Sequence, residues 1–426
     1  MRWDIPFVRR RRHEHDAGRR LLTIEGDYSL HVIQSRRLHH ELISSDVQGW
    51  FEHVWHVNPL TGADPDEPEP SSIGPPRTVE VAPGHTFVEG HVGLTTVLRS
   101  LPALNLLLAQ GALLLRLTRI IRKDRISMIR VGDPYYLGIL GLLLARLHHR
   151  PLVVKIAANY DAIHHVTGKP AYPRLLRSRR IEKTIECAVL RRADLVTAAN
   201  ENNLAYALGN GARRNRATVF RYGSWVDPSH FAPPDHEPDF LPSLGLSGRT
   251  VAVMVGRLEP VKHPEDALTA VAVARRAGED VCLLAVGDGS MRSQLERAAA
   301  DHGIADAVVF AGARNQDEVR AAMRGASVIL APLAGRALVE AALSGRPIVA
   351  YDVEWHGELI ESGETGILVP YRDADAMGAA LAELARDPDR ADRLGAAARL
   401  RCLEMMSPDV LAAHERAVYA RVLERR

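Results

Sequence analysis

TVAVMVGRLEPVKHPEDALTAVAVARRAGEDVCLLAVGDG, residues 250–289, is the stretch that decides the fold. It begins and ends with valine-rich apolar runs at 250–255 and 281–286, and a run with helical spacing of apolar residues lies between them at 265–277. Such short β-branched runs predict buried strands, and two strands joined by a helix lie parallel in one sheet. The stretch therefore predicts a βαβ unit of an α/β protein.

The same alternation continues after this unit. Further strands are predicted at 307–310, 327–331, 347–350 and 366–369, and further helices at 291–302, 317–324 and 337–344. Regular alternation of strands and helices predicts a parallel sheet that is covered by helices on both faces.

The first half of the chain repeats the pattern less regularly. Its predicted strands are 20–24, 51–57, 126–131, 152–157, 195–198 and 218–220, and its predicted helices are 31–47, 101–122, 135–147, 181–192 and 201–208. We therefore expect two Rossmann-like domains, residues 1–223 and 224–406, with a final helix at 407–426 that packs back on the first domain. Ligands of such folds bind beyond the carboxyl ends of the strands, so a cleft between the two sheets is the expected site.

Composition excludes several classes of protein. With 426 residues, 46% of them hydrophobic, the chain can bury large cores, which excludes disordered, collagen-like and disulfide-stapled proteins. The net charge of +2 argues against a nucleic-acid partner. Three scattered cysteines and an N-terminus without an apolar core predict a cytoplasmic protein. The apolar segments at 101–121 and 135–147 contain charges or are too short to span a bilayer, so no transmembrane helix is predicted.

The first candidate site follows the strand at 250–255. Gly256 ends this strand, Arg257 projects from its carboxyl end, and Lys262 lies just before a helix that begins at Pro264. Two cations beside a helix N-terminus suit a diphosphate, because their charges and the free N–H groups act together. The alternative is a pair of solvated surface cations.

The second candidate site is LAGRALVEAALSGRP, residues 333–347, between two predicted strands. Gly335 allows close approach of the backbone to a ligand, and Arg336, Ala337 and Leu338 begin a helix whose N–H groups could hold phosphate. Glu340 could accept hydrogen bonds from sugar hydroxyls. The alternative is that Glu340 is only a favourable acid near a helix N-terminus.

Two more residues complete the expected donor side. Gly287 lies in a Val-Gly-Asp-Gly turn after the strand at 281–286, which alone is a weak signal. Arg314 follows the strand at 307–310 and would lie near the same crevice.

The order of these motifs closely resembles the nucleotide-binding half of GT-B glycosyltransferases of family 4. The motifs are VGRL…K, VGDGSMRSQLE, VVFAGA, LAGRALVEAALSGRPIVA and TGILVP, and the match covers most of residues 194–421. The resemblance implies an α/β GT-B fold, a nucleotide-diphosphate sugar as donor and a retaining reaction. It also implies that Arg257 and Lys262 hold the donor diphosphate and that Glu340, the second glutamate of the E-x7-E signature, binds the ribose.

The chain departs from the family pattern in three places. Pro332 stands where the first glutamate of E-x7-E, which contacts the donor sugar in the family, would lie. His263 follows Lys262 in place of the usual glycine or asparagine. YDVEWHGE, residues 351–358, replaces the usual glycine pair before a glutamate, and it could contact sugar hydroxyls or close the cleft.

Four residues are candidates for the acceptor side. Asp133 and Asp161 follow predicted strands and should face the cleft, although Asp133 equally suits a helix cap and Asp161 the start of a loop. His356 and Glu358 come from the stretch 351–358. No metal site is predicted. The histidine pairs at 39–40, 148–149 and 164–165 lack a third ligand, and none of the D-x-D matches, at 64–66, 373–375 and 387–389, ends a predicted buried strand.

These motifs predict a metal-independent hexosyltransferase that needs no cofactor and that acts on a carbohydrate, lipid-linked or small-molecule acceptor. A sugar-nucleotide epimerase of the same fold is an alternative. An inactive paralogue that only binds nucleotide sugar is another, and Pro332 motivates it.

Basic residues also suggest weak contact with the inner face of the membrane. They are the arginines at 9–12 and a cationic flank of the apolar segment, Arg116, Arg119, Arg122 and Lys123. The alternative is a core helix with a solvated basic end.

Overall fold

Two sheets covered by helices organise the chain. The computed structural model describes residues 18–26, 29–35, 39–61, 73–172, 175–176, 178–232 and 240–425. Three features of the sequence lie outside these ranges: the arginines at 9–12, the D-x-D match at 64–66, and most of residues 62–76, whose many Pro, Asp, Glu and Ser residues predict an exposed loop.

The first sheet is formed by the amino-terminal half. Its strands are β1 (Arg20–Ile24), β2 (His53–Thr61), β3 (Arg77–Ala82), β4 (His85–His91), β5 (Met128–Val131), β6 (Leu152–Ile156), β7 (Leu195–Ala198) and β8 (Ala217–Val219). They lie in the order β3-β4-β2-β1-β5-β6-β7-β8. The pair β3–β4 is antiparallel, and the other neighbouring strands run parallel.

The second sheet is formed by the carboxyl-terminal half and is parallel throughout. Its strands are β9 (Thr250–Val255), β10 (Val281–Val286), β11 (Val308–Gly312), β12 (Val328–Ala331), β13 (Ile348–Tyr351) and β14 (Ile367–Val369). Their order, β11-β10-β9-β12-β13-β14, reverses direction between β9 and β12. This is the strand order of a Rossmann fold, in which ligands bind at the point of reversal.

Helices cover both sheets. They are α1 (Leu30–Ser35), α2 (His39–Ile43), α3 (Pro102–Lys123), α4 (Tyr136–Leu147), α5 (Tyr160–Thr167), α6 (Arg179–Arg192), α7 (Glu201–Gly209), α8 (Phe240–Ser243), α9 (Pro264–Arg276), α10 (Arg292–Asp301), α11 (Gln316–Gly325), α12 (Arg336–Leu343), α13 (His356–Leu359), α14 (Ala374–Arg386), α15 (Pro388–Met406) and α16 (Pro408–Glu424). The two α/β layers confirm the predicted fold class.

Apolar side chains pack on each sheet separately. Every residue of β10 is buried, as a central parallel strand with helices on both faces requires. The last helix, α16, belongs to the amino-terminal core, because Ala412, Val418 and Tyr419 pack there with Leu21 and Phe51. The chain therefore crosses back to the first sheet after it completes the second.

The hairpin β3–β4 was not predicted. All of β4 is buried although it carries His85, Glu89 and His91, so no apolar run marks it in the sequence. Its backbone groups pair with β2 on one side and β3 on the other, which makes the burial possible. The helix predicted at 31–47 is confirmed in part, since α1 and α2 lie there, and a 3-10 turn at Ser44–Asp46 follows α2.

Candidate active site

A cleft of about 520 Å³ is lined by residues from both halves of the chain. Several of them directly follow strands: Glu25 follows β1, Gly132 follows β5, Ala157 follows β6 and Gly256 follows β9. The cleft therefore lies at the carboxyl ends of both parallel sheets, which is where the strand order places a ligand site.

Arg257 and Lys262 lie together on the wall formed by the second sheet. Arg257 follows Gly256, and Lys262 ends a single 3-10 turn, Pro260–Lys262, before α9. Burial lowers the pKa of the Lys262 ammonium, and Arg257 lowers this pKa further because the two cations repel each other. Neither side chain has a salt bridge to a residue that the structure describes. The pair can therefore bind an anion such as a diphosphate.

Gly287 supports this wall from behind and does not line the cleft. Its φ is 140°, and a Cβ at this position would lie 1.9 Å from the carbonyl oxygen of Gly256. Glycine is therefore required for β10 and the end of β9 to lie this close. Arg314 is also absent from the lining, because its Nε donates to the Ala311 carbonyl oxygen and its guanidinium pairs with Glu318.

The start of α12 forms the second part of the wall built by the second sheet. Gly335, Arg336, Ala337 and Glu340 all line the cleft. Glu340 is only 4% exposed, and its Oε1 lies 3.2 Å from the Nε of Arg336, one turn earlier. Leu338 points the other way and is fully buried in the core, so it offers the cleft no side chain. Residues 336 and 340 are four positions apart and therefore lie on the same face of the helix, whereas residue 338 lies on the opposite face.

Asp133 and Asp161 do not line the cleft, contrary to expectation. The Asp133 carboxylate accepts hydrogen bonds from the Tyr135 backbone N–H and the Tyr172 hydroxyl, and α4 begins only at Tyr136. Asp161 lies in the first turn of α5 and forms ion pairs with Arg179 and Lys183. Burial raises the pKa of Asp161, but the hydrogen bonds from Lys183 and Arg179 outweigh this effect and lower it.

His356 and Glu358 likewise have structural partners. His356 is fully buried, its Nδ1 lies 2.9 Å from the Tyr351 carbonyl oxygen, and its Nε2 contacts the backbone of Ala334. The His356 ring therefore links the turn before α12 to the end of β13. Glu358 accepts a hydrogen bond from the Glu201 backbone N–H and pairs with Arg221, so it joins the two halves of the chain.

The wall formed by the first sheet carries charged residues that were not predicted. The Glu25 carboxylate lies 3.1 Å from the Lys155 ammonium and 3.6 Å from the Arg130 guanidinium, and all three residues line the cleft. Burial raises the pKa of Glu25, but Lys155 and Arg130 outweigh this effect and hold it at about 2. A sequence signal did exist, because Arg130 and Lys155 interrupt the otherwise apolar strands MIRV and LVVKI.

Other polar residues complete the lining. They are Ser44, Ser45, Asn159, Asn203, Tyr222, Gln316, Glu354 and Glu415. Among the residues that the structure describes, no group of three or more His, Cys, Asp or Glu side chains could hold a metal ion.

Family models match each half of the chain. Residues 238–401 match "Glycosyl transferases group 1", and residues 45–223 match "Glycosyl transferase 4-like domain". Together the two matches include every strand of the second sheet, the strands of the first sheet from β2 to β8, and most of the residues that line the cleft.

Several characterised glycosyltransferases are similar in sequence. The GDP-mannose-dependent alpha-(1-6)-phosphatidylinositol monomannoside mannosyltransferase of Mycolicibacterium smegmatis is 28% identical over 69% of this chain and 76% of its own length. The protein of the same name from Mycobacterium tuberculosis is 32% identical over 44% of this chain and 52% of its own length. The alpha-D-kanosaminyltransferase of Streptomyces kanamyceticus is 30% identical over 35% of this chain and 40% of its own length.

Solved structures share the fold. Anabaena HepE in complex with UDP and glucose has a TM-score of 0.71 at 15% identity and covers 94% of this chain and 99% of its own. Sucrose-phosphate synthase from Thermosynechococcus elongatus has a TM-score of 0.73 at 19% identity and covers 96% and 100%. Because the motifs, both family models and the two-sheet architecture agree, this chain belongs to the group 1 glycosyltransferases of family 4, which have the GT-B fold.

Proposed function

We propose that this chain is a metal-independent, retaining hexosyltransferase, which transfers a sugar from a nucleotide-diphosphate sugar to a hydroxyl acceptor. One observation carries the proposal. Arg257, Lys262 and the first turn of α12 line one wall of the same cleft, and the cations lack described salt-bridge partners. This arrangement suits a diphosphate leaving group.

Charge develops on the diphosphate as the bond to the sugar breaks. Arg257 and Lys262 would neutralise this charge together with the N–H groups at the start of α12. Glu340 would accept hydrogen bonds from the ribose, because a carboxylate offers only acceptors and suits paired hydroxyls. No cofactor and no metal ion is needed in this scheme, and retention of configuration rests on the family resemblance.

The acceptor would bind against the first sheet. Glu25, Arg130 and Lys155 lie there with Ser44 and Ser45, and this set offers both donors and acceptors to a molecule rich in hydroxyls. We propose a carbohydrate, lipid-linked or small-molecule acceptor for this wall. We also propose that residues 1–223, with 407–426, form the acceptor domain and residues 224–406 the donor domain.

We place the protein in the cytoplasm, in reversible contact with the inner face of the membrane. By length and composition α3 could also span a bilayer, but its Leu113, Leu117 and Ile121 pack in the amino-terminal core. Its other side exposes leucines, and its end carries a basic cavity of about 620 Å³ lined by Arg116, Arg119, Arg122 and Lys123. An anionic lipid surface matches both the charge and the apolar stripe.

A donor panel tests the proposed function. Thermal shift with GDP-mannose, UDP-glucose and an ADP-sugar should identify one donor that stabilises the folded protein. Transfer from that donor to an acceptor panel should then persist in excess EDTA. Loss of transfer on chelation, with recovery on addition of Mg²⁺, would contradict metal independence. Conversion of the donor without any acceptor would indicate an epimerase, and binding without turnover would indicate an inactive paralogue.

A further inference from the structure

We infer that Glu354 binds the sugar moiety of the donor and is the second carboxylate of the donor wall. This inference rests on the proposed function. Glu354 follows β13 and lines the cleft with Arg257, Lys262 and Glu340.

Its position next to Lys262 gives it access to the sugar. Glu354 is an exposed residue of the cleft lining, and its carboxylate interacts electrostatically with the Lys262 ammonium. A donor sugar is bonded directly to its diphosphate. A carboxylate beside the diphosphate-binding cation is therefore close to the hydroxyls of the first sugar ring, and it can accept hydrogen bonds from them.

The backbone of Glu354 supports a functional role. Its φ is 52°, in the left-handed region that L residues with a side chain rarely adopt. The neighbouring residues hold this conformation, because Trp355 is buried against Tyr222 and His356 is fastened to the backbone of Ala334. The side chain is thus presented to the cleft by a rigid support despite the strain.

The turn between β12 and α12 carries no carboxylate. Pro332 follows β12, eight residues before Glu340, and its side chain can neither donate nor accept a hydrogen bond. Glu354 therefore supplies a carboxylate at the sugar end of the site, while Glu340 serves the nucleotide end.

Two substitutions separate the carboxylate from the backbone. Glu354→Gln removes the charge and keeps the size, and Glu354→Gly removes the side chain at a position that favours glycine. Asp352→Asn is the matched control, because Asp352 is an exposed carboxylate two residues away that does not line the cleft. Calorimetric titration would compare GDP with GDP-mannose and UDP with UDP-glucose.

Both Glu354 variants should bind the preferred nucleotide sugar at least about tenfold more weakly and the matching nucleoside diphosphate within about twofold of the wild type. Glu354→Gly should also melt at a higher temperature than Glu354→Gln, which shows that the loss of binding is not unfolding. Unchanged affinity for the nucleotide sugar, or equal weakening of both ligands, would overturn the inference alone. A wild-type protein that binds none of these four ligands and no ADP-sugar would overturn the proposed function as well.

Discussion

Two residues of the carboxyl-terminal half place a side chain where the backbone favours glycine. His263 and Glu354 both have a φ of 52°. The family usually has glycine or asparagine at these positions, which adopt the left-handed conformation readily. In this chain the backbone has that conformation although histidine and glutamate stand there. His263 uses its ring to contact the Tyr371 hydroxyl at 2.9 Å, whereas Glu354 lines the cleft.

Glu340→Ala should weaken both the free nucleoside diphosphate and the intact donor by roughly ten- to a hundredfold in dissociation constant, because charge-assisted hydrogen bonds to the ribose contribute about 1.5–3 kcal/mol. Calorimetric titration measures this. Glu404→Ala, which removes an exposed carboxylate of α15, should leave both constants unchanged.

Arg257→Ala provides the contrast. It should lower kcat by about a hundredfold or more, since the charge that it neutralises grows in the transition state. If the nucleotide affinity of Glu340→Ala equalled that of the wild type, Glu340 would be only a helix-terminal acid and the ribose assignment would fall.

Glu25 makes the stability of the protein depend on pH. Its pKa is about 2 in the folded protein against an ordinary 4.5, so its ion pairs stabilise the fold above pH 4.5 and this stabilisation is lost as the pH falls toward 2. The contribution at pH 7 is at most about 3 kcal/mol, and more than half of it is lost by about pH 3.

Urea unfolding of the wild type and Glu25→Gln should therefore show a difference in the free energy of unfolding that shrinks between pH 6 and pH 3. Glu52→Gln, at an exposed ion pair, should show a small difference. A gap that stays constant over this range would contradict the assignment.

At the scale of elements, α3 is a core helix on one face and an exposed apolar helix on another. One face packs on the first sheet, and another exposes Leu104, Leu107, Leu108 and Leu115 to solvent. The cationic end follows directly along the helix. Exposed leucines in one stripe beside arginines are typical of helices that lie on an anionic membrane surface.

The protein should float with vesicles that contain phosphatidylglycerol and much less with pure phosphatidylcholine vesicles, and salt should weaken the binding because it screens the basic residues. Leu107→Glu should abolish flotation, since this side chain is 69% exposed on α3. Leu400→Glu is the matched control, because Leu400 is 65% exposed on α15 in the other half and should not matter. Equal flotation with both lipid compositions at low salt would remove the membrane proposal.

The whole molecule is held together by contacts that cross between its halves. Glu358 of α13 pairs with Arg221 and accepts from the Glu201 backbone N–H. The helix α16 returns from the second sheet to the first, where Tyr419 is almost fully buried between Phe51 and Phe220. Because Arg130, which lines the cleft on the first sheet, also interacts with Tyr419, helix α16 supports the cleft.

Tyr419→Ala should destabilise the amino-terminal half by about 3–5 kcal/mol, because it removes a large buried ring from a packed core. The melting temperature of this half should fall by roughly 6 °C or more. Calorimetry combined with limited proteolysis would show which half unfolds first. Val410→Ala, at an exposed position of the same helix, should change little. Coincident loss of both halves would show that they unfold as one unit.

The sequence by itself determined the fold class and the residues of the proposed donor wall. Local patterns sufficed, because parallel strands are continuous apolar runs and the residues that follow them must meet at one edge of the sheet. Gly256, Arg257, Lys262, Gly335, Arg336, Ala337 and Glu340 all line the cleft as that rule requires. The rule failed for β4, whose polar residues are buried only because two strands flank it.

Only the tertiary structure decided which residues form the proposed acceptor wall on the first sheet. Asp133, Asp161, His356 and Glu358 had the right chemistry, but each has partners that lie nearer than the cleft. Glu25 and Lys155 are 130 positions apart, and nothing local to either residue reveals the other. A side chain's partner depends on which elements pack together, and this is a property of the whole chain. Periodicity therefore predicts where a strand ends, whereas the charge pairs at its end appear only after the sheets have formed.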